Sequence, residues 1–402
     1  MENSKNMLYS ERDIYFIKKT FLLAKKAKGF TTPNPLVGAL IVKNDKIISK
    51  GYHKRSGLPH AEIEAIRKTT LRDMKGSTLY INLEPCYHFG KTSPCVDEII
   101  KNKFKRVVVS TVDPNPKVEG KAIKKLRNSG VEVSLGVLEK EARQLNEHFF
   151  KNMEKNSPFV AAKTAQSLDG KIASRTGLSK WITSKKTRDF AKSLRDEYDC
   201  ILVGINTVIK DNPHLDGLKK IPVKIIIDPK FRLPLNSNLA NKYPEKLIIF
   251  TSYRDKNMDN LLPFNSGSWP VLEISSRNNN SSLLVKAGLA KWNNLIIRGA
   301  KVFFLREEER GLPINKILRV LYDLGLMSVF IEGGAETIGR FFDDQLVDKV
   351  YTFIAPKIIG GRSAIASVAG IGNNEVQNVR YLNNVRVKKI GQDIFISGYT
   401  GI

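Results

Sequence analysis

Short apolar runs alternate along this chain with stretches of helical period. Ser10 precedes Glu11-Arg12-Asp13, and apolar Ile14, Ile17, Phe21, Leu22 and Ala24 recur every three to four residues until Gly29. That pattern predicts a capped amphipathic helix. Leu36–Val42 is apolar and β-prone, Asn44-Asp45 reads as a hairpin turn, and Lys46–Gly51 returns. Further strands are predicted over Ser77–Leu83, Arg106–Thr111 and Val131–Leu135, with helices over Glu62–Thr70, Cys95–Lys103, Lys121–Asn128 and Leu138–Phe150. The order α-β-β-α-β-α-β-α predicts a layered α/β domain over residues 1–150. Lys151–Pro158 is polar and reads as a linker. A second strand–helix domain is expected over residues 159–402. Its strands are predicted from Phe159, Cys200, Val223, Leu247, Met327, Val347 and Asp393, and its helices from Ser184, Pro313 and Ala335. Between Asp255 and Arg310 the period is lost, and Arg277–Ser282 reads as an exposed loop.

Composition narrows the class. No apolar run approaches about 18 residues, so no span is expected. The N-terminal Met-Glu-Asn-Ser-Lys-Asn lacks the apolar core of a leader. Three cysteines give no disulfide framework, which points to a reducing, cytoplasmic setting. The net charge of +26 comes from dispersed lysines without a block of like charge. It reads as a solvated surface that also steers anionic small molecules, rather than as a nucleic-acid footprint.

The chemistry concentrates between His60 and Cys95. Zinc takes imidazole and thiolate ligands, and a catalytic zinc keeps a fourth position for water. His60, Cys86 and Cys95 supply three such ligands. On a helix, Glu62 would diverge from His60 by roughly 200°, which suits a proton-carrying carboxylate beside the metal. Taken alone, Cys86 and Cys95 read better as two buried thiols than as ligands. In this order, each after a proline, they make the H-x-E…P-C…C signature of zinc deaminases, where zinc lowers the pKa of water to about 7. Eight residues separate the cysteines, where nucleobase deaminases usually have two. That loop carries His88 and Lys91 and suits an anionic part of a small substrate.

In the second half, Glu332-Gly333-Gly334 follows a predicted strand and opens a helix at Ala335. It reads either as a phosphate cradle or as a tight packing turn. Lys163, Asp211 and Glu332 read as internal pairs or surface charges, and Trp181 as a core residue.

Taken together these stretches resemble the bifunctional riboflavin-biosynthesis deaminase–reductase family over nearly the whole chain. Thr32–Gly38, Gly51–His53, Pro59–Glu62, Leu83–His88, Gly90–Cys95 and Asp113–Pro116 carry the likeness in the first half. Ser167–Ala173, Ser179–Thr183 and Glu332–Gly334 carry it in the second. The resemblance implies a cytidine-deaminase-like layered domain followed by a dihydrofolate-reductase-like α/β domain. It implies zinc-dependent deamination of a phosphorylated diaminopyrimidine, then NADPH-dependent reduction of its ribosyl group to ribityl. It assigns zinc to His60, Cys86 and Cys95 and proton transfer to Glu62. Asn34, His53, His88, Lys91, Asp113 and Asn115 match deaminase substrate positions. Ala165, Trp181, Thr207, Asp211 and the segment Gly334, Ala335, Glu336, Thr337, Ile338, Gly339 and Arg340 match cofactor positions. Lys163, Ser179, Arg195, Leu215 and Glu332 match reductase substrate positions. It also implies a homo-oligomer, a dimer or tetramer. Two places depart from the family's pattern. Asp216-Gly217-Leu218 stands where a Thr and then a substrate-touching Arg are usual, and Pro229 stands where a Ser or Thr is common.

Overall fold

The computed structural model describes residues 9–87, 94–253, 272–274, 293–375 and 379–401. His88, Lys91 and the tract 277–282 lie outside the described residues. The chain divides into two compact units, Met1–Ser157 and Pro158–Ile402.

In the first unit Ser10 caps the helix Glu11–Ala24, its hydroxyl accepting the Asp13 amide at 3.1 Å. β1 (Gly38–Lys43) and β2 (Lys46–Tyr52) form the expected hairpin. Asn44 and Asp45 both hold positive φ, 46° and 64°, which matches a two-residue turn to the strand twist. β3 (Thr78–Ile81), β4 (Arg106–Val109) and β5 (Glu132–Leu135) complete a sheet ordered β2-β1-β3-β4-β5. β3, β4 and β5 run parallel, and β1 is antiparallel to both its neighbours. Both faces are covered, so the central strands read as apolar runs. Leu40, Val42, Tyr80 and Val108 pack with Phe16, Ile17 and Phe21 of the first helix. Ile41, Leu79, Ile81, Val107 and Val109 pack on the other face, against the helices Ala61–Ile66, Cys95–Lys101 and Lys121–Asn128.

Asp13 is buried in this core. Arg106 forks onto its carboxylate at 2.9 and 3.0 Å, and the Tyr80 hydroxyl donates at 3.0 Å. Burial pushes the carboxyl up, but the hydrogen bonds from Arg106, Ser10 and Tyr80 outweigh it and leave the pKa below 3.8. Asp13→Asn is expected to destabilise the unit by about 2–4 kcal/mol, because Arg106 keeps its charge and loses its fork. The folded pKa lies below the unfolded one. The loss is therefore full above pH 3.8 and closes as the pH falls through the folded pKa. Urea unfolding at neutral pH and in acid measures both effects; equal midpoints at neutral pH would refute the first.

The helix Glu147–Lys155 runs through most of the segment expected to be a linker. Its polar residues are the outer side of a helix that buries Phe150 and Asn152. The Asn152 amide donates to the Ser157 carbonyl at 2.8 Å, just past the helix end. The single helix expected over Leu138–Phe150 is broken into Glu139–Leu145 and Glu147–Lys155.

The second unit contains β6 (Phe159–Ser167), β7 (Lys171–Ala173), β8 (Cys200–Gly204), β9 (Val223–Ile227), β10 (Leu247–Tyr253) and β11 (Leu272–Ile274). It continues with β12 (Lys301–Arg306), β13 (Ser328–Ile331), β14 (Lys349–Ala355), β15 (Ile365–Ala366), β16 (Asn383–Ile390) and β17 (Asp393–Tyr399). The main sheet is ordered β11-β12-β10-β9-β8-β13-β6-β14-β17-β16, and β7 pairs with β15. From β12 to β14 it is parallel, with antiparallel strands at both edges. Ile201, Val203, Ile226, Phe304 and Phe330 line one face. Leu202, Ile225, Phe303, Val329 and Ile331 line the other, under Ile317 and Leu321 of the helix Ile314–Asp323. Among the described residues no helix is long and apolar enough to cross a membrane.

Candidate active sites

The parallel strands β3 and β4 end side by side, where open α/β sheets form their crevices. His60 is the N-cap of the helix Ala61–Ile66, in extended conformation and making no capping bond, so its imidazole is free for other work. The divergence expected between His60 and Glu62 on one helix does not apply, because His60 precedes the first helical turn. Cys86 follows β3, and Cys95 opens the helix Cys95–Lys101. The ligand atoms of His60, Cys86 and Cys95 all lie within 4.8 Å of one another, with His60 Nδ1 3.3 Å from Cys95 Sγ. A tetrahedral zinc with ordinary bond lengths separates its ligands by about 3.5–3.8 Å. The three side chains therefore fit the ion with small adjustment.

These groups act on one another's protonation. The hydrogen bond to Cys86 pushes His60 up to about 9, against burial. Cys86 is pushed down to about 4, first by the Cys95 thiol, and further by His60 and the Cys95 amide, whose N–H lies 3.2 Å from Cys86 Sγ. Cys95, donating to Cys86 and buried, moves well above an ordinary thiol. Glu62 is buried beside them, and burial pushes its carboxyl up to about 7 while His60 pulls it back.

Two loops flank this set. Asn34 Nδ2 lies 3.1 Å from His53 Nε2, and His53 Nδ1 lies 3.1 Å from the Pro59 carbonyl. Both contacts are met when His53 is neutral, carrying its proton on Nδ1 and accepting from Asn34. Burial holds the His53 pKa down, consistent with that form. On the other side Asp113 is buried, and its Oδ1 accepts the Asn115 amide at 2.8 Å. Burial pushes the Asp113 carboxyl up, the Asn115 amide pulls it back, and nearby Glu84 and Cys86 raise it again, which leaves it up at about 6.

Sequence reasoning missed the residues that hold these loops. Asn82 accepts the Gly38 amide at 2.7 Å and donates to the Leu36 carbonyl at 2.8 Å. Asn146 grips the same Leu36 from its amide side at 2.7 Å. Glu84 takes backbone amides from the opposite loop. A polar residue at every second position out of an apolar strand, Asn82-x-Glu84-x-Cys86, was the available signal.

In the second unit β6, β13 and β8 also end side by side. Glu332 stands at the end of β13 with its side chain 7% exposed. Arg195 forks onto it at 2.5 and 3.1 Å, and Lys163 reaches it at 3.3 Å. Burial pushes the carboxyl up, but Arg195 and then Lys163 hold it down at about 2. Arg195 also donates to the Asp216 carbonyl at 2.9 Å, next to buried Leu215. The Asp216 carboxylate, in the place of the usual Thr, takes Lys224 and Lys242 at 2.9 and 2.8 Å.

A Cβ on Gly204 would stand 2.6 Å from Thr337 Oγ1, and one on Gly333 2.8 Å from Thr337 Cβ. The strand-end glycines therefore leave room for Thr337, and Gly334 caps its helix beside Thr207. Thr207, Gly334 and Thr337 are thus brought together. Ala335 and Ile338 are buried, Gly339 lies under the Ala369 carbonyl, Glu336 faces solvent, and Arg340 donates to the Leu312 carbonyl at 2.7 Å. Ala165 sits in β6 opposite Phe353. Ser179 donates to Asp211 at 3.1 Å. Trp181, read as a core residue, is 65% exposed, with the Arg188 guanidinium 4.1 Å from its ring.

Residues 10–111 match the family of the cytidine and deoxycytidylate deaminase zinc-binding region. Residues 158–396 match the RibD C-terminal domain. The riboflavin biosynthesis protein RibD of Aquifex aeolicus is 40% identical over 390 residues, covering 96% of this chain and 98% of that protein. The chain belongs to the RibD family. Like RibD proteins generally, it joins a cytidine-deaminase-like domain to a dihydrofolate-reductase-like one, and it is a bifunctional deaminase and reductase of riboflavin biosynthesis. RibD of Bacillus amyloliquefaciens is 37% identical, covering 94% of each chain. The RibD structure from Acinetobacter baumannii, form 1, is 31% identical with a TM-score of 0.79, covering 98% of this chain and 99% of that one. A diaminohydroxyphosphoribosylaminopyrimidine deaminase/5-amino-6-(5-phosphoribosylamino)uracil reductase from Thermotoga maritima is 32% identical with a TM-score of 0.77, covering 97% and 99%.

Proposed function

We propose that the first unit hydrolytically deaminates 2,5-diamino-6-ribosylamino-4(3H)-pyrimidinone 5′-phosphate, and that the second reduces the ribosyl group of the product to ribityl with NADPH. The observation that carries the first reaction is the convergence of His60, Cys86 and Cys95 beside buried Glu62. These three residues would hold zinc, which supplies a water acidic enough to attack at neutral pH. Glu62 takes the proton of that water and delivers it to the amine as it leaves as ammonia. Asn34 and His53 on one side, and Asp113 and Asn115 on the other, frame the pyrimidine. His88 and Lys91 would meet its phosphate, Lys91 as a point charge.

For the second reaction NADPH supplies the hydride, and the protein's part is orientation. Thr207, Gly334 and Thr337 offer hydroxyls and bare amides to cofactor phosphates. Ala165, Trp181 and Asp211 would contact the rest of the cofactor, and Lys163, Ser179, Arg195, Leu215 and Glu332 would receive the sugar phosphate. The thiol ligands need a reducing compartment, which supports a cytoplasmic location. We expect a dimer or tetramer, which light scattering would measure.

A coupled assay tests the whole reading: ammonia should appear without NADPH, and NADPH should be consumed only once deaminated product is present. Chelation is expected to abolish ammonia release and leave reduction of supplied deaminated product unchanged, with added zinc restoring the first activity. Ammonia release that survives complete zinc removal would sink the assignment of the metal set.

A further inference from the structure

Glu84 lies two residues before Cys86 and is 3% exposed. Four backbone amides converge on its carboxylate. Oε2 accepts from Asp113 at 3.2 Å and Gly120 at 2.8 Å, and Oε1 accepts from Ala122 at 3.0 Å and Ile123 at 3.2 Å. The last two belong to the first turn of the helix Lys121–Asn128, whose N-cap Gly120 supplies no side chain. Both ends of the 113–120 loop are therefore tied to one carboxylate. That carboxylate is carried by the same strand exit that delivers Cys86, and the Glu84 amide itself bonds the Thr111 carbonyl at 3.0 Å. Asp113, held by its own amide, then orients Asn115 through the 2.8 Å bond from the Asn115 amide.

We propose that Glu84 is a positioning residue of the deamination: it fixes Asp113 and Asn115 at a set distance from the metal-binding loop, so that substrate bound by one is presented to the other. The proposal rests on the assignment of Asn115 to substrate given above. Only a carboxylate serves here. All four partners are donors, and an amide at this position would turn its own N–H groups toward two of them. Charge-assisted bonds to a carboxylate are the stronger kind, and helix N-termini favour an anion.

The test is a double-mutant cycle on the full chain, with Glu84→Gln, Asn115→Ala and the pair, following ammonia release, bound zinc and NADPH consumption on deaminated product. Glu84→Gln is expected to raise KM about tenfold with kcat changed by no more than about threefold. Zinc and reduction should stay at wild-type levels, and exchange at the Gly120, Ala122 and Ile123 amides should quicken. Asn115→Ala should cost less in the Glu84→Gln background than alone, because the loop is already displaced. Multiplying effects, or an unchanged KM in Glu84→Gln, would overturn the proposal while leaving the site intact. An unchanged KM in Asn115→Ala alone would instead overturn the assignment of Asn115, and the proposal with it. Should Glu84→Gln lose zinc, Glu84→Asp keeps the charge and the same cycle is run on it. Zinc lost from both variants would count against the proposal, since Glu84 would then be holding the metal loop itself.

Discussion

Glu62→Gln is expected to cut ammonia release by about 10³-fold while zinc remains bound. The substitution keeps size and shape in a fully packed position, so the fold of the first unit should survive. What it removes is the capacity to accept a proton. Glu62 stands outside the set formed by His60, Cys86 and Cys95, whose atoms already converge without it. Three ligands leave the open position a catalytic zinc needs, whereas a closed structural site would want a fourth. Zinc content and ammonia release, measured on the same sample, separate the two roles. Turnover close to wild type would remove Glu62 from the proton path, and zinc lost with the activity would make it a ligand after all. Reduction of supplied deaminated product serves as the internal control.

The convergence of His60, Cys86 and Cys95 was legible in the sequence because zinc chemistry admits few residue types and the two prolines and the glutamate fix their order. The sheets were legible where burial is two-sided: Leu40 to Val42 and Cys200 to Val203 are apolar throughout because both their faces are covered. β16 was not legible. From Asn383 to Lys389 every residue is exposed at the sheet edge, so the ladder to β17 leaves only the short alternation of Val385 and Val387 among polar residues. The segment 151–158 misled for a related reason, since a helix with one narrow buried side looks polar when read linearly. Glu84 and Asn82 escaped because their partners are backbone amides and carbonyls distant in the chain, which no spacing rule records. Of the two readings of Gly333-Gly334, the tight packing turn is the one the structure displays. A Cβ on Gly333 would lie 2.8 Å from Thr337 Cβ, so the glycine clears space for that side chain.

Glu332→Gln should have the largest effect on the second unit, with stability and reduction falling together. Removing one partner of a buried ion pair costs about 3–5 kcal/mol, because the remaining charge stays out of water. Here two cations are left behind, and the Arg195 and Lys163 side chains are only 15% and 18% exposed. The glutamine oxygen can still accept from one of them, which puts the expected loss near the lower end, about 3 kcal/mol. Arg195 also carries the Asp216 carbonyl, so its release frees the turn at Leu215 and the substrate positions proposed there. NADPH consumption should therefore fall more than stability alone predicts, under conditions where the variant is fully folded. The wild-type carboxyl titrates near 2 instead of 4.5, so its contribution is complete above pH 4.5 and lost as the pH falls through 2. Urea midpoints of variant and wild type should differ by a constant amount across neutral pH and converge only in strong acid. A gap that closes near neutral pH would mean the carboxylate is not held by Arg195 and Lys163 in solution, and the crevice would have to be reassigned.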